Sequence, residues 1–329
     1  MTSFLFAINA AAPIVIMMAL GYFLKKIGFI TRDFAKLGNN LVFRVFLPVM
    51  LFLNIYKIEG IGGIRLGFAA YAIIAVLAIF LIALPVVLAF TKESGKRGAL
   101  LQATFRSNYA LIGVPLAEAL FGQPGVSTAS VLSAFAIPTF NVLAVIVLSV
   151  FAGNGKGRTS IKKVLLGILK NPLIIGVALG ICALLLRELF VATNVSFRLT
   201  ELTPIYKVLT YLSSVATPMA LIILGAQFEF SAISELRREI IFGILTRCLI
   251  VPTIGIGAAI LFFRNTFDGA AFAAFVALFA TPVAVSSVPM AQEMKSDYKL
   301  AGQLVVWSTI FSVLTIFISS LLLKALDIF

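Results

Sequence analysis

Long uncharged stretches separated by short charged ones dominate the chain. Eight runs carry no charge at all: Met1–Leu24, Leu66–Thr91, Ala119–Gly155, Asn171–Leu186, Val208–Phe228, Cys248–Phe263, Gly269–Gln292 and Leu300–Leu323. Each is near or above the roughly 20 residues needed to cross about 30 Å of hydrocarbon. Two further apolar stretches are interrupted by charge, Leu37–Tyr56 by Arg44 and Arg97–Phe121 by Arg106 and Glu118. Counting both gives ten predicted crossings and leaves little chain for a soluble domain. The first run starts without a basic segment, is long for a signal peptide and carries Pro13, so it is read as the first membrane helix.

Self-similarity is visible in the same pattern. Pro13 to Gly21 lies over Pro172 to Gly180 at an offset of 159, ending both times in Ala-Leu-Gly. Phe46-Leu47-Pro48 lies over Ala216-Thr217-Pro218 at an offset of 170, and Leu111 to Pro115 over Leu278 to Pro282 at 167. Apolar sequences align easily, but three matches in the same order argue for a duplicated unit. That unit spans 1–155 and 156–329, five crossings each. An odd number of crossings makes the second copy enter from the opposite side, so the repeat is inverted. Inverted repeats let one central site face each side of the membrane in turn, the architecture of a secondary transporter.

Composition agrees: 61% of residues are hydrophobic and 12% are charged, about half the charged share of a soluble domain. The excess of Lys and Arg gives a net charge of +13. Nucleic acid is not implied, because the basic residues are scattered between apolar runs rather than gathered on one face. Their placement carries topology instead. Sixteen lie in the loops after odd-numbered helices and six on the other side, so both termini are expected outside, here the periplasmic face. Histidine is absent and the two cysteines, Cys182 and Cys248, lie in apolar stretches, which leaves neither a metal set nor a disulfide framework. With no nucleotide-binding glycine loop, no cofactor and no ATP-driven step are implied. An intramembrane enzyme would need a nucleophile with a base, or a metal, and the sequence offers neither.

Candidate chemistry sits where helices should break. Pro115 with Gly113, and Pro282 with Pro289, are expected to interrupt helices four and nine near mid-membrane. Freed backbone groups are tolerated only inside protein or along a wet cavity, and half-helix N-termini suit an anion. Proline can also kink a helix without binding anything. Arg44, Arg106 and Arg247 lie inside their segments, where a charge is costly and faces a cavity or a partner; pairing with carbonyls at the breaks, or snorkelling, would serve as well. Glu118 is the one carboxylate well inside a span and is the candidate for carrying a coupling proton. Asn108, Asn141, Ser286 and Ser287 add neutral polar groups, which could equally be interhelical hydrogen bonds. A cation/proton antiporter on a similar scaffold is the rival reading, and it would want one or two carboxylates at the crossing.

Through Leu47-Pro48, Asn108-Tyr-Ala-Leu-Ile-Gly113-Val-Pro115-Leu, Lys170-Asn171-Pro172, Ala216-Thr217-Pro218 with Leu224-Gly225, and Ala280-Thr281-Pro282, the chain resembles the auxin efflux carrier family in its bacterial branch. The resemblance covers nearly the whole length. It implies an all-α protein of ten transmembrane helices in a 5 + 5 inverted repeat, with helices four and nine broken and crossed. It further implies a scaffold domain of helices 1, 2, 6 and 7, a transport domain of helices 3–5 and 8–10, and elevator-like carriage of small organic anions across the inner membrane. Asn108 and Pro115 in helix four and Pro282 in helix nine take the substrate-side positions. The partners expected are a small carboxylate, H+ or Na+ as coupling ion, the lipid bilayer and a second copy in a homodimer. The long central loop of plant members is absent, the loop here running from about Gly153 to Lys170, so neither plant-type phosphoregulation nor auxin is implied.

Overall fold

The structure is a computed structural model that describes residues 2–57, 66–152, 166 and 169–328. The central loop and Arg65 lie almost wholly outside these residues. Among the described residues the chain is helical, apart from one isolated antiparallel bridge between Ser107 and Val283. The first half holds α1 (Thr2–Lys26), α2 (Arg32–Tyr56), α3 (Leu66–Phe90), α4 (Ser94–Phe105), α5 (109–120) and α6 (123–150). The second holds α7 (Pro172–Ala192), α8 (Thr203–Gln227), α9 (Ser231–Glu235), α10 (Arg237–Phe263), α11 (Gly269–Phe279), α12 (Ser287–Glu293) and α13 (Tyr298–Ala325).

Against the ten crossings that the apolar runs predict, seven continuous helical stretches among the described residues are long and apolar enough to span by themselves. These are α2, α3, the α5–α6 stretch, α7, α8, α10 and α13. The α5–α6 stretch turns at Phe121 and Gly122, whose φ of 60° glycine adopts without the steric cost of a Cβ.

Helix starts follow local chemistry. Thr31, Asn171, Asp268 and Asp297 each accept a backbone N–H from the first turn of α2, α7, α11 and α13. Pro172 follows its cap directly, where a missing N–H costs nothing. Three π turns, Val42–Phe46, Tyr109–Gly113 and Thr246–Ile250, each end two residues before a proline: Pro48, Pro115 and Pro252. Proline cannot donate to the carbonyl four residues back and crowds it, and the ladder widens by one residue to relieve this.

Glycine sets the closest helix contacts. A Cβ at Gly21 of α1 would strike the Ile222 carbonyl of α8, and one at Gly225 of α8 would strike the Met18 carbonyl of α1. On the other pair, Gly176 and Gly180 of α7 lie against the backbone of Pro48 and Phe52 in α2. In lipid, such close backbone approach replaces the hydrophobic drive that joins helices in water. The core element is α11, buried from Ala270 to Phe279, with Phe275 against Phe68 and Tyr71 of α3 at ring distances of 5.3 and 5.0 Å.

Two interruptions organise the interior. One separates α4 from α5 over residues 106–108, and the other separates α11 from α12 over residues 280–286. They pair with each other: the Asn108 N–H donates to the Pro282 carbonyl (2.8 Å) and the Ala284 N–H to the Arg106 carbonyl (3.2 Å). The Val283 N–H donates to Ser308 Oγ on α13 (3.0 Å). Part of the backbone freed from each helix is thus satisfied by the other break and by α13, within the protein, as the membrane interior demands. The placement corrects the proline-based expectation. The first break falls at Arg106-Ser107-Asn108, about two turns before Pro115, which sits instead at the start of α5's regular helix. In helix nine Pro282 lies in the break and Pro289 in the first turn of α12. Pro115 and Pro289 thus each follow a break, whereas Pro282 lies within one.

Candidate functional site

A cavity of about 760 Å³ opens beside the paired breaks. One wall is built from the first break (Arg106, Ser107, Asn108), from Leu111 and Pro115 of α5, from Phe140 and Asn141 of α6 and from Ala284, Val285 and Ser286 of the second break. The facing wall comes from α1, α2 and α8 and is mostly apolar, with Asn9, Asn54, Ser213, Ser214 and Thr217 as its polar groups.

Arg106 is the charged residue of this cavity, 3% exposed. Its guanidinium donates to Asn141 Oδ1 and Ser286 Oγ, both at 2.9 Å, and contacts Met290 Sδ. Asn141 is held in turn by its own donation to the Ile137 carbonyl (2.8 Å). All of these partners are neutral, and no carboxylate of the described residues forms an ion pair with Arg106. Beside it, Ser107 Oγ and Asn108 Nδ2 are buried without a hydrogen-bond partner. Burying a charge or a polar group without compensation is costly. A ligand that brings negative charge and acceptors to these three consecutive residues would repay that cost.

Arg247 is also buried, 1% exposed, but does different work. It donates to the carbonyls of Thr104 (3.1 Å), Leu278 (3.2 Å) and Thr281 (2.6 and 2.9 Å). These carbonyls belong to the C-terminal ends of α4 and α11, where helix dipoles leave partial negative charge. The arginine therefore clamps both half-helices and stands away from the cavity lining. This is the carbonyl-pairing role that the sequence leaves open for it.

The other sequence candidates divide in the same way. Asn108, Asn141, Ser286 and Pro115 line the cavity. Pro282 and Ser287 are buried in or after the second break without lining it; the Ser287 carbonyl accepts from Gln102 Nε2 (3.2 Å). Gly113 serves packing, since a Cβ there would come within 2.9 Å of the Ala277 carbonyl of α11. Arg44 is exposed in the π turn of α2, and Glu118 is exposed on α5; neither lines the cavity. The sequence reading misses the polar groups of the facing wall. Of these, Thr217 lies in the Ala216-Thr217-Pro218 motif, and the others are single polar residues on apolar helices with no pattern to mark them.

A profile of the membrane transport protein family matches residues 6–319, nearly the whole chain. The chain belongs to this family, the auxin efflux carriers. Over 330 residues it is 24% identical to an uncharacterized transporter of Methanothermobacter thermautotrophicus, covering 95% of this chain and 97% of the relative. It is 26% identical over 224 residues to an uncharacterized transporter of Methanocaldococcus jannaschii, covering 67% and 68% of the two chains. This transporter is an integral membrane protein and not an enzyme, and it works on a substrate within a lipid bilayer.

Proposed function

We propose that this transporter is a secondary carrier of small organic anions, with carboxylates as the substrate class, working by elevator-type alternating access. The observation that carries the reading is Arg106, a buried cation lining the cavity with neutral partners only, next to the unpartnered Ser107 Oγ and Asn108 Nδ2. A guanidinium fork with adjacent hydroxyl and amide donors suits a carboxylate. Asn141 and Ser286 orient the arginine. A cation/proton antiporter would need a carboxylate at the cavity; the lining residues include none, and Glu118 stands elsewhere.

In this reading the chain crosses ten times, as α1, α2, α3, α4 with α5, α6, and then α7, α8, α10, α11 with α12, α13. The first five crossings (1–155) and the last five (156–329) form the inverted repeat, with the two interrupted helices crossing at the Ser107–Val283 bridge. Glycine packing supports the duplication. Gly21 and Gly180 are equivalent in the sequence match, and they make equivalent contacts: α1 against α8, and α7 against α2. Helices α1, α2, α7 and α8 form the scaffold, the remainder the transport domain, and the cavity lies along their seam. Both termini face outside a bacterial plasma membrane, an H+ or Na+ gradient or simple downhill exchange drives the cycle, and the carrier works as a homodimer.

Uptake of labelled mono- and dicarboxylates into proteoliposomes tests the reading. Saturable uptake of at least one carboxylate is expected. Transport of an amine or a bare cation with no carboxylate moved would overturn it.

A further inference from the structure

The seam that holds the cavity is closed further along by a separate polar layer. Three successive residues, Gln292 and Glu293 ending α12 and Met294 just after it, each meet a different helix of the proposed scaffold. Glu293 accepts from Asn39 Nδ2 (3.4 Å) and Asn40 Nδ2 (3.2 Å) on α2. Gln227 Nε2, at the end of α8, donates to Gln292 Oε1 (3.1 Å). Asn171 Nδ2, capping α7, donates to Met294 Sδ (3.7 Å).

Cavity and layer stand at different heights on the same helices. On α2 the cavity takes residues from Leu47 to Asn54, whereas the layer uses Asn39 and Asn40; Asn40 to Asn54 is about 21 Å at 1.5 Å per residue. On α8 the cavity stops at Leu221 and the layer lies at Gln227. The layer is at the ends flanked by Arg32, Lys36 and Lys295, the side rich in Lys and Arg, and the cavity reaches toward the other side. Glu293 forms no ion pair among the described residues. A carboxylate held by two amides can exchange both for water when the seam opens, so the layer shuts the seam without fixing it.

We propose that Gln292, Glu293 and Met294 are the cytoplasmic latch of this carrier, parting once in each transport cycle, with Glu293 as its central positioning residue. The proposal rests on the alternating-access reading above.

Two experiments test it, both in a background with Cys182→Ser and Cys248→Ser. In the first, Gln227→Cys and Gln292→Cys are joined by oxidation in proteoliposomes, with complete cross-linking checked by mass. Uptake is expected to fall at least about tenfold, an apparent 1.4 kcal/mol or more, and to return on reduction; uptake unchanged in fully cross-linked protein overturns the proposal. The second needs no substrate. With Leu111→Cys as a cavity reporter, adding Glu293→Ala is expected to slow labelling by an impermeant maleimide from the outside and to speed it from the inside. Equal rates with and without Glu293→Ala on both sides overturn the latch. A parent protein that moves no carboxylate counts against the substrate reading alone, since the labelling rates report the latch independently.

Discussion

Two arginines lie buried without a carboxylate partner, and their neighbours decide what each does. Arg247 spends its donors on three backbone carbonyls of the half-helix ends. Replacing it with Met leaves those acceptors buried and unpaired, at about 1–3 kcal/mol each. Arg247→Met is expected to lower the thermal unfolding midpoint in detergent by many degrees, and an unchanged midpoint would remove the clamp. Arg106 has neutral partners and open space beside it. Arg106→Gln removes an unpaired buried charge, so its midpoint should hold or rise. Its carboxylate uptake should lose about 100-fold in kcat/KM, about 2.7 kcal/mol. Arg106→Lys keeps the charge without the fork and should recover only part of that loss. Wild-type uptake kinetics in Arg106→Gln would take this residue out of the substrate site. Both arginines are legible in the sequence as deep charges. Their division of labour is not, because it depends on which carbonyls a break frees, and that is fixed by tertiary pairing.

At the scale of elements, uncharged runs locate most helices to within a turn or two, as with Leu66–Thr91 against α3 (Leu66–Phe90), but α10 (Arg237–Phe263) starts about three turns before its run at Cys248. The breaks are harder to read. Prolines point toward them without marking them: Pro289 settles in the first turn after its break, Pro115 follows a π turn about two turns after Asn108, and only Pro282 lies in a break itself. The first break itself falls on Arg106-Ser107-Asn108, which carries no strong helix breaker. It persists because residues 106–108 find their partners in 282–284, more than 170 positions away. Gly21 and Gly180, paired in the sequence, both sit at close helix contacts: a Cβ would clash with the Ile222 carbonyl at the first and crowd Phe52 and Ile55 at the second. Gly225→Ala sets a Cβ against the Met18 carbonyl and is expected to cut the yield of folded, monodisperse protein severely. Gly257→Ala, where a Cβ meets open space in α10, should match or slightly exceed the parent, because alanine is the better helix former. Size-exclusion profiles and unfolding midpoints of the two variants compare them directly. Equal behaviour would show that the α1–α8 contact is looser than its geometry indicates.

For the whole molecule, the distribution of charge and the proposed connectivity make one joint prediction about sidedness. Ten crossings place both termini on the same face, and the bias of sixteen basic residues against six makes that face the outside. Counting only the seven continuous apolar stretches would put the termini on opposite faces, because seven is odd. The two counts differ in whether α1 crosses, and in whether α4 with α5 and α11 with α12 each complete a crossing by joining two half-helices at the Ser107–Val283 bridge. Fusions after Asp327 separate them. An alkaline phosphatase fused there should be active and a green fluorescent protein dark, as for any periplasmic end. Fusions in the 153–165 segment should reverse the pattern, being cytoplasmic. An active phosphatase at both sites would mean that the second half does not enter from the opposite side. The inverted repeat, and with it the alternate exposure of a shared cavity as the transport domain moves against the scaffold, would then be lost even though every helix remained in place.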